Sequence, residues 1–324
     1  MELKIQTING GHFEFNAFQY ILKKTFPEYF VKNRFSSESY DRKVVVSLSF
    51  NWDFKGIHEK GITTYYLDNN FDNDLVLFFT GEPWDIDCIA KNKEDKYILF
   101  TPYRACKGDS MFFMPWIVII FIQFSLCKYI YKYQSNKNSK RSYFIAYCAK
   151  VTRKERTQFM NMLVTKHVQT NDERKIHSLG NQHIEGTEHK VLSKYTSPNT
   201  VLVDEFSKYQ FAVVFENQEK CGYITEKLLQ AFIGNTIPIY FGDHVLAKQL
   251  FNPDAFICVR DFESYDECID HILNMSGESI EEMLNEPMFK DNLLPEMFDV
   301  HNFDTGYFSK LKEMIRNKYY FLST

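Results

Sequence analysis

The sequence predicts an α/β protein built on parallel sheets and divided into two domains. Three observations lead there. Residues 209–241 read as strand, polar loop, helix and strand, which is a βαβ unit. Short apolar runs at 3–8, 43–50 and 75–79 alternate with a helical period at 15–26, as a parallel sheet with crossover helices requires. A chain of 324 residues is also long enough for two domains of ordinary size, each with its own core.

Taken in order, residues 3–8 alternate like a strand, 15–26 carry a helical apolar stripe, and 43–50 are strongly β-branched. Residues 75–79 (LVLFF) form a short buried strand, followed at once by Thr80, Gly81, Glu82 and Pro83. Glu82 is therefore expected to project from the carboxyl end of a central strand. Residues 111–127 lack any charge and include Pro115, a length at the bottom of the membrane-spanning range. A span here would place two α/β domains on opposite sides of a bilayer, so a buried interdomain segment is expected instead. From Ser110 to Lys154 there is no acidic residue, while Lys128, Lys132, Lys137, Lys140, Arg141, Lys150, Arg153 and Lys154 are basic. The Asn/Ser/Lys-rich stretch 134–142 reads as a solvated linker, with contact to anionic lipid head groups as the alternative. A strand at 143–148 opens the second domain, and a helix follows in which Arg156, Phe159 and Leu163 recur at helical spacing.

The βαβ unit at 209–241 carries the chemistry. Its first strand, 211–215, is wholly apolar and its second, 237–241, is interrupted by Pro238. Thr225 is expected to cap the intervening helix, and Gly234 sits where it should stop. The loop and first helical turn hold Glu216, Asn217, Gly222, Tyr223, Glu226 and Lys227, more polar groups than a connection needs. Lys227 opposes the helix dipole in the first turn, so packing alone gives no reason for it, whereas a phosphate bound at that terminus would. Glu226 suits the dipole and could accept hydrogen bonds from paired sugar hydroxyls. The alternative is an ordinary charged pair on a surface helix.

The runs F-E-N, G-Y-I-T-E-K-L, T-I-P-I-Y-F-G and P-D-A-F-I-C-V-R-D-F, continuing towards Asn285, Glu286 and Pro287, resemble the C-terminal signature of the α-1,3-fucosyltransferases, glycosyltransferase family 10, in its bacterial type. The likeness extends over roughly eighty residues and is far more specific than a lone glycine motif. It implies a GT-B fold, two Rossmann-like domains facing each other across a cleft, with GDP-fucose as donor and inversion at the anomeric carbon. It implies Glu82, in T-G-E, as the general base that deprotonates the acceptor hydroxyl. It implies Arg156, in R-x-x-F-x-x-x-L, as a clamp on the donor diphosphate, a task that a planar guanidinium performs with two parallel hydrogen bonds. Where the family has an asparagine before this helix the loop here reads A-K-V-T-R, so Arg153 is the alternative. Asn217, Tyr223, Glu226 and Lys227 are expected to contact the nucleotide sugar, with Glu216 and Gly222 beside them.

The remaining features set limits. A net charge of −4 gives no global reason to expect nucleic acid. Seven cysteines, Cys88, Cys106, Cys127, Cys148, Cys221, Cys258 and Cys268, are odd in number and lack C-x-x-C spacing, so reduced core thiols are expected. With no basic-then-apolar N-terminus, the expected location is cytoplasmic, with peripheral membrane contact through the basic linker as an option. Asp85 and Asp87 form a superficial D-x-D pattern, read as loop. His177, His183 and His189 fit no zinc spacing and read as solvated loop histidines. No cofactor is required, and a divalent metal has no motif behind it. The expected organisation is an acceptor-side domain at 1–117, an apolar segment and linker at 118–142, a donor domain at 143–290, and a helical segment at 291–324 returning to the first domain. The expected acceptor is an N-acetylglucosamine- or glucose-containing glycan on an oligosaccharide, glycolipid or glycoprotein. Rival readings are a GT-B transferase for another nucleotide sugar, and a glycan- or nucleotide-binding module without turnover.

Overall fold

The computed structural model describes residues 2–8, 12–28, 30–33, 43–48, 75–79, 97–101, 110–130, 141–150, 152–192 and 200–321. The chain divides into two compact units: Met1–Gln123 with Cys221–Tyr223 and Pro295–Thr324, and Phe124–Lys220 with Ile224–Leu294.

In the first unit, strands β1 (Glu2–Ile8), β2 (Phe30–Asn33), β3 (Lys43–Leu48), β4 (Leu75–Phe79), β5 (Tyr97–Thr101) and β6 (Met111–Phe113) form a sheet in the order β2-β1-β3-β4-β5-β6. Every pairing is parallel, so the chain crosses over between strands, and α1 (His12–Thr25) makes the first crossover. Phe18 of α1 lies edge-on to Phe79 and Phe100, with ring centroids 5.5 and 5.1 Å away. The helix therefore packs on β4 and β5. The apolar run after β6 becomes α2 (Trp116–Leu126), in which Ile117, Val118, Ile119, Phe121 and Ile122 are all buried. A helix apolar all round belongs in a protein interior or a membrane. No helix among the described residues is long and apolar enough to cross a membrane. The unit division, after Gln123, falls within α2, and the sequence boundary after residue 117 falls within the same helix a little earlier, because one continuous helix carries no compositional break. The last helix, α9 by chain order (Gly306–Phe321), packs on α1 through Tyr319 against Phe26 at 4.9 Å and through Arg316 Nη1, which donates to Thr25 O at 2.9 Å.

In the second unit, β7 (Tyr143–Tyr147), β8 (Ile176–Ser178), β9 (Glu188–His189), β10 (Tyr209–Phe215), β11 (Ile237–Phe241) and β12 (Ile257–Cys258) are all parallel. Their order is β12-β11-β10-β7-β8-β9. Counted from the unit's own first strand this is 6-5-4-1-2-3, the doubly wound order of dinucleotide-binding sheets. Helices α3 (Lys154–Gln169), α4 (Thr200–Phe206), α5 (Glu226–Ile233), α6 (His244–Leu250), α7 (Tyr265–Asn274) and α8 (Gly277–Asn285) accompany it. Phe144, Phe211, Val213, Phe215, Ile237 and Ile239 line one face of the sheet in a single core with Phe159, Met160 and Leu163 of α3 and Cys268, Ile269 and Ile272 of α7. Each fully buried side chain of this size contributes about 1.5–3 kcal/mol.

Several local expectations are corrected. Pro238 does not interrupt β11: it pairs with Ala212 in register, and β12 joins only from Ile239 onward, so the missing N–H falls where the strand has a partner on one side. Thr225 occupies the N-cap position of α5 without making a side-chain cap. Gly234 closes the helix at φ −69, and the left-handed conformation passes to Asn235, at φ 51. Glycine is needed at 234 for space, since a Cβ there would lie 2.8 Å from Phe206 Cβ. His177 is a buried strand residue, bonded to Tyr209 Oη at 2.6 Å and to Glu188 at 3.0 Å; His183 is exposed and stacks on His189. Of the described cysteines, Cys258 and Cys268 are core thiols, while Cys127 and Cys221 are exposed and Cys148 is intermediate; Cys88 and Cys106 lie outside the described residues.

One close approach shapes the crevice. The loop after β8 laces onto the loop after β7: Leu179 N donates to Tyr147 O at 2.7 Å and Gln182 N to Ala149 O at 3.1 Å. Between these bonds a Cβ on Gly180 would meet Ala149 O at 2.3 Å. Gly180→Ala is therefore expected to cost about 1–3 kcal/mol of stability. A thermal unfolding scan checks this: the melting temperature should fall by several degrees, and an unchanged value would mean the two loops are not in contact.

Candidate active site

In a doubly wound sheet, ligands bind outside the carboxyl ends of the strands where the winding reverses. Here that switch point lies between β7 and β10, the unit's first and fourth strands. Two loops leave it: residues 148–153, which lead into α3, and residues 216–225, which lead into α5. Five of the residues singled out from sequence, Arg156, Glu216, Asn217, Glu226 and Lys227, meet there.

Arg156 stands in the first turn of α3 and is 4% exposed. Its Nη2 donates to Phe215 O at 2.7 Å and to Asn217 Oδ1 at 3.1 Å, so the guanidinium ties the head of α3 to the end of β10. Arg153, the alternative, is exposed at the N-cap position and makes no side-chain cap. Beside Arg156, Tyr147 Oη donates to Gln182 Oε1 at 2.6 Å, and Gln182 Nε2 donates to Thr157 Oγ1 at 2.9 Å. Burial pushes the Tyr147 hydroxyl well above its ordinary pKa, with Arg156 opposing. The hydroxyl stays protonated and remains a donor.

Glu216 organises the other loop. Its side chain is fully buried, which a carboxylate tolerates only when donors surround it. Oε1 accepts from Thr225 N at 2.7 Å, and Oε2 accepts from Thr225 Oγ1 at 2.6 Å and from Lys227 Nζ at 3.1 Å. Thr225 Oγ1 also accepts from Lys227 Nζ at 2.7 Å. The first and last residues of the loop are thus clamped together, and the Thr225 hydroxyl is used for this rather than for capping. Within the loop Gly222 takes φ +87, a left-handed conformation for which glycine has no penalty, and Tyr223 is buried. Farther along the loop, Glu219 accepts a two-pronged bond from Arg260, whose guanidinium lies 4.9 Å from the Phe241 ring centre.

Lys227 therefore has an internal partner that sequence did not offer. Its placement against the dipole does not by itself require a bound phosphate, because Glu216 and, at 3.5 Å, Glu226 offset its charge. Burial works against the ammonium, and the two carboxylates outweigh it, so its pKa is raised. Glu226 keeps a third of its side chain exposed, 32%, and Lys227 22%; both can reach a ligand. Glu216 cannot, and its part is to hold the loop. Sequence reasoning missed Thr225, Tyr147 and Gln182 as members of this network. The one available signal was a carboxylate directly after a wholly apolar strand. Glu82, with Thr80, Gly81 and Pro83, and the Asp85–Asp87 pair lie outside the described residues. Among the described residues no group of three His, Cys, Asp or Glu side chains could hold a metal ion.

Two parallel Rossmann-like sheets, with basic and hydroxyl-seeking groups at the switch point of the second, make this a GT-B glycosyltransferase fold. Within that class, residues 134–283 match the C-terminal domain of glycosyltransferase family 10 (fucosyltransferase). The chain is 48% identical over 66 residues to the α-(1,3)-fucosyltransferase FucT of Helicobacter pylori, a stretch that is 20% of this chain and 14% of that protein. In three dimensions it resembles a crystal structure of an α1,3-fucosyltransferase with a TM-score of 0.65 and 20% identity, covering 98% of this chain and 90% of that one. It also resembles an α1,3-fucosyltransferase crystallised with GDP-fucose, with a TM-score of 0.62, 19% identity and the same coverage.

The Glu216 clamp has consequences for stability. Glu216→Ala leaves Lys227 and Thr225 without their acceptor and is expected to cost about 3 kcal/mol, the lower end for a broken buried pair because Lys227 is partly exposed. Glu216→Gln, which keeps the shape, adds a pH signature. A raised lysine pKa stabilises the fold at pH values below that of the unfolded chain, about 10.4, and the contribution disappears as pH climbs through the folded value. The stability gap between wild type and Glu216→Gln, measured by urea denaturation, should therefore be constant near neutrality and narrow at strongly alkaline pH, leaving only the share due to Thr225. A gap that did not narrow there would remove Lys227 from the clamp.

Proposed function

We propose that the chain is an inverting fucosyltransferase that moves L-fucose from GDP-fucose to a hydroxyl of an N-acetylglucosamine- or glucose-containing glycan, forming an α-1,3 linkage. The observation that carries this reading is the meeting of Arg156, Asn217, Glu226 and Lys227 at the switch point of a family 10 domain. Arg156 and Lys227 would clamp the donor diphosphate, Glu226 would accept from sugar hydroxyls, and Asn217 and Tyr223 would complete the donor contacts. As the glycosidic bond breaks, GDP gathers negative charge, and fixed cations there are worth on the order of 3 kcal/mol each. Glu82, a few residues past the end of β4, would take the proton of the acceptor hydroxyl, a contribution of roughly a hundred- to ten-thousand-fold.

The chemistry assigned to these residues needs no metal, because the cations and the amino ends of α3 and α5 neutralise the diphosphate. A cytoplasmic location goes with this reading, as the odd number and spacing of the seven cysteines suggest for reduced thiols. So does contact of the basic linker with anionic lipid, which would bring the enzyme to a glycolipid acceptor.

Calorimetric titration with GDP-fucose, GDP-mannose and UDP-galactose tests the donor. GDP-fucose should bind, and Arg156→Ala or Lys227→Ala should each weaken it by roughly ten- to a hundredfold, the worth of a hydrogen bond to a charged group. Binding of another donor in place of any GDP-sugar would favour the rival transferase and defeat the fucose assignment. Glu82→Gln separates an enzyme from a binding module: turnover should drop by roughly a hundredfold or more while the donor Kd holds. Full activity in that variant would exclude Glu82 as the base.

A further inference from the structure

A cavity of about 20 Å³ adjoins the switch point inside the second unit. Arg156, Lys227, Gln230 and Cys148 line it, with Leu202 and Phe206 of α4 closing its apolar side. Gln230 follows Lys227 by three positions on α5, so both side chains leave the same face of the helix. It is 5% exposed, among Leu228, Leu229 and Phe232, which are fully buried or nearly so. Its side-chain amide makes no hydrogen bond to any described residue.

An amide set among apolar side chains needs polar partners, the Gln230 side chain lines the cavity, and helix α5 offers no packing reason for glutamine in place of a leucine or methionine. The cavity supplies a reason. One water needs about 10–15 Å³ and two to four polar partners, and this space offers both, while it is too small for a phosphate. We infer that Gln230 is a positioning residue that holds Arg156 and Lys227 in place through one buried water. The two cations donate to the water oxygen, and the water donates to the Gln230 carbonyl oxygen. Arg156 disfavours the charge on Lys227, as two neighbouring cations must. A water and a carbonyl dipole turned towards them offset that repulsion from the sheet side, as Glu216 does from the loop side. The pair is thereby kept at a fixed separation before any anion arrives, which is what preorganised phosphate recognition requires.

This inference rests on the donor reading, in which Arg156 and Lys227 meet a diphosphate. Gln230→Met keeps the length and bulk of the side chain and removes its polar atoms. GDP binding, followed by calorimetry, should weaken roughly five- to tenfold in the variant. Binding of guanosine, which has no phosphate, should be unchanged when followed by NMR titration, and the melting temperature should not fall. A crystal structure of the wild type should show one water within hydrogen-bond distance of the Gln230 amide and at least one of the two cations. Equal GDP affinity in wild type and variant, equal weakening of GDP and guanosine, or a dry cavity would each overturn the positioning role. Failure of the wild type itself to bind GDP would instead bring down the donor reading and this inference with it.

Discussion

The second unit depends on one buried carboxylate. Glu216 directly follows the central strand β10 at a point where water cannot reach it, and a charge so placed is stable only with its donors in position. Those donors come from the far end of the same loop, Thr225 N, Thr225 Oγ1 and Lys227 Nζ. Closing the loop on Glu216 fixes where α5 begins, which direction its free N–H groups face, and where the Lys227 ammonium sits. Removing the carboxylate would release all three at once. The site is thus built by an interaction that no ligand needs to touch.

The sheet order determines what that loop faces. With β10 beside β7, the crossover to β8 leaves one side and the crossover to β11 leaves the other, so the loops diverge and a crevice opens between them. Arg156 spans this crevice at its base, bonding from α3 to the end of β10. The Tyr147, Gln182 and Thr157 bonds hold α3 against the neighbouring loop, and Gly180 lets that loop come close. The Arg156 guanidinium and the Lys227 ammonium, the latter offset by Glu216 and Glu226, therefore stand at the amino ends of α3 and α5, where backbone N–H groups favour an anion.

Much of this was legible beforehand, for identifiable reasons. Strands β4 and β11 fall at 75–79 and 237–241 as read, because a wholly apolar run of five residues has little choice but a buried strand. Helix α5 and its polar first turn were equally plain. Other residues were misread because their state depends on partners far away in sequence. His177 looked like a loop histidine in a polar stretch, yet Tyr209, thirty-two positions on, draws it into the sheet. Thr225 had the residue type of a cap, but Glu216 offers its hydroxyl a charged acceptor, which is the stronger bond. Lys227 looked unexplained without a phosphate for the same reason: its partner lies eleven residues back.

The sequence by itself determined the class of fold, the position of the βαβ unit and the set of polar residues gathered in its loop. These follow from local periodicity and residue type, which act over a few positions and need no knowledge of what lies across the sheet. Tertiary structure alone decided which of those residues face inward and which remain available to a ligand. Glu216 and Glu226 are the same side chain ten positions apart, and one is sealed in the core while the other keeps a third of its surface. Burial and pairing are properties of the assembled neighbourhood, because the dielectric around a charge and the donors within 3 Å of it are set by chain segments brought together only on folding.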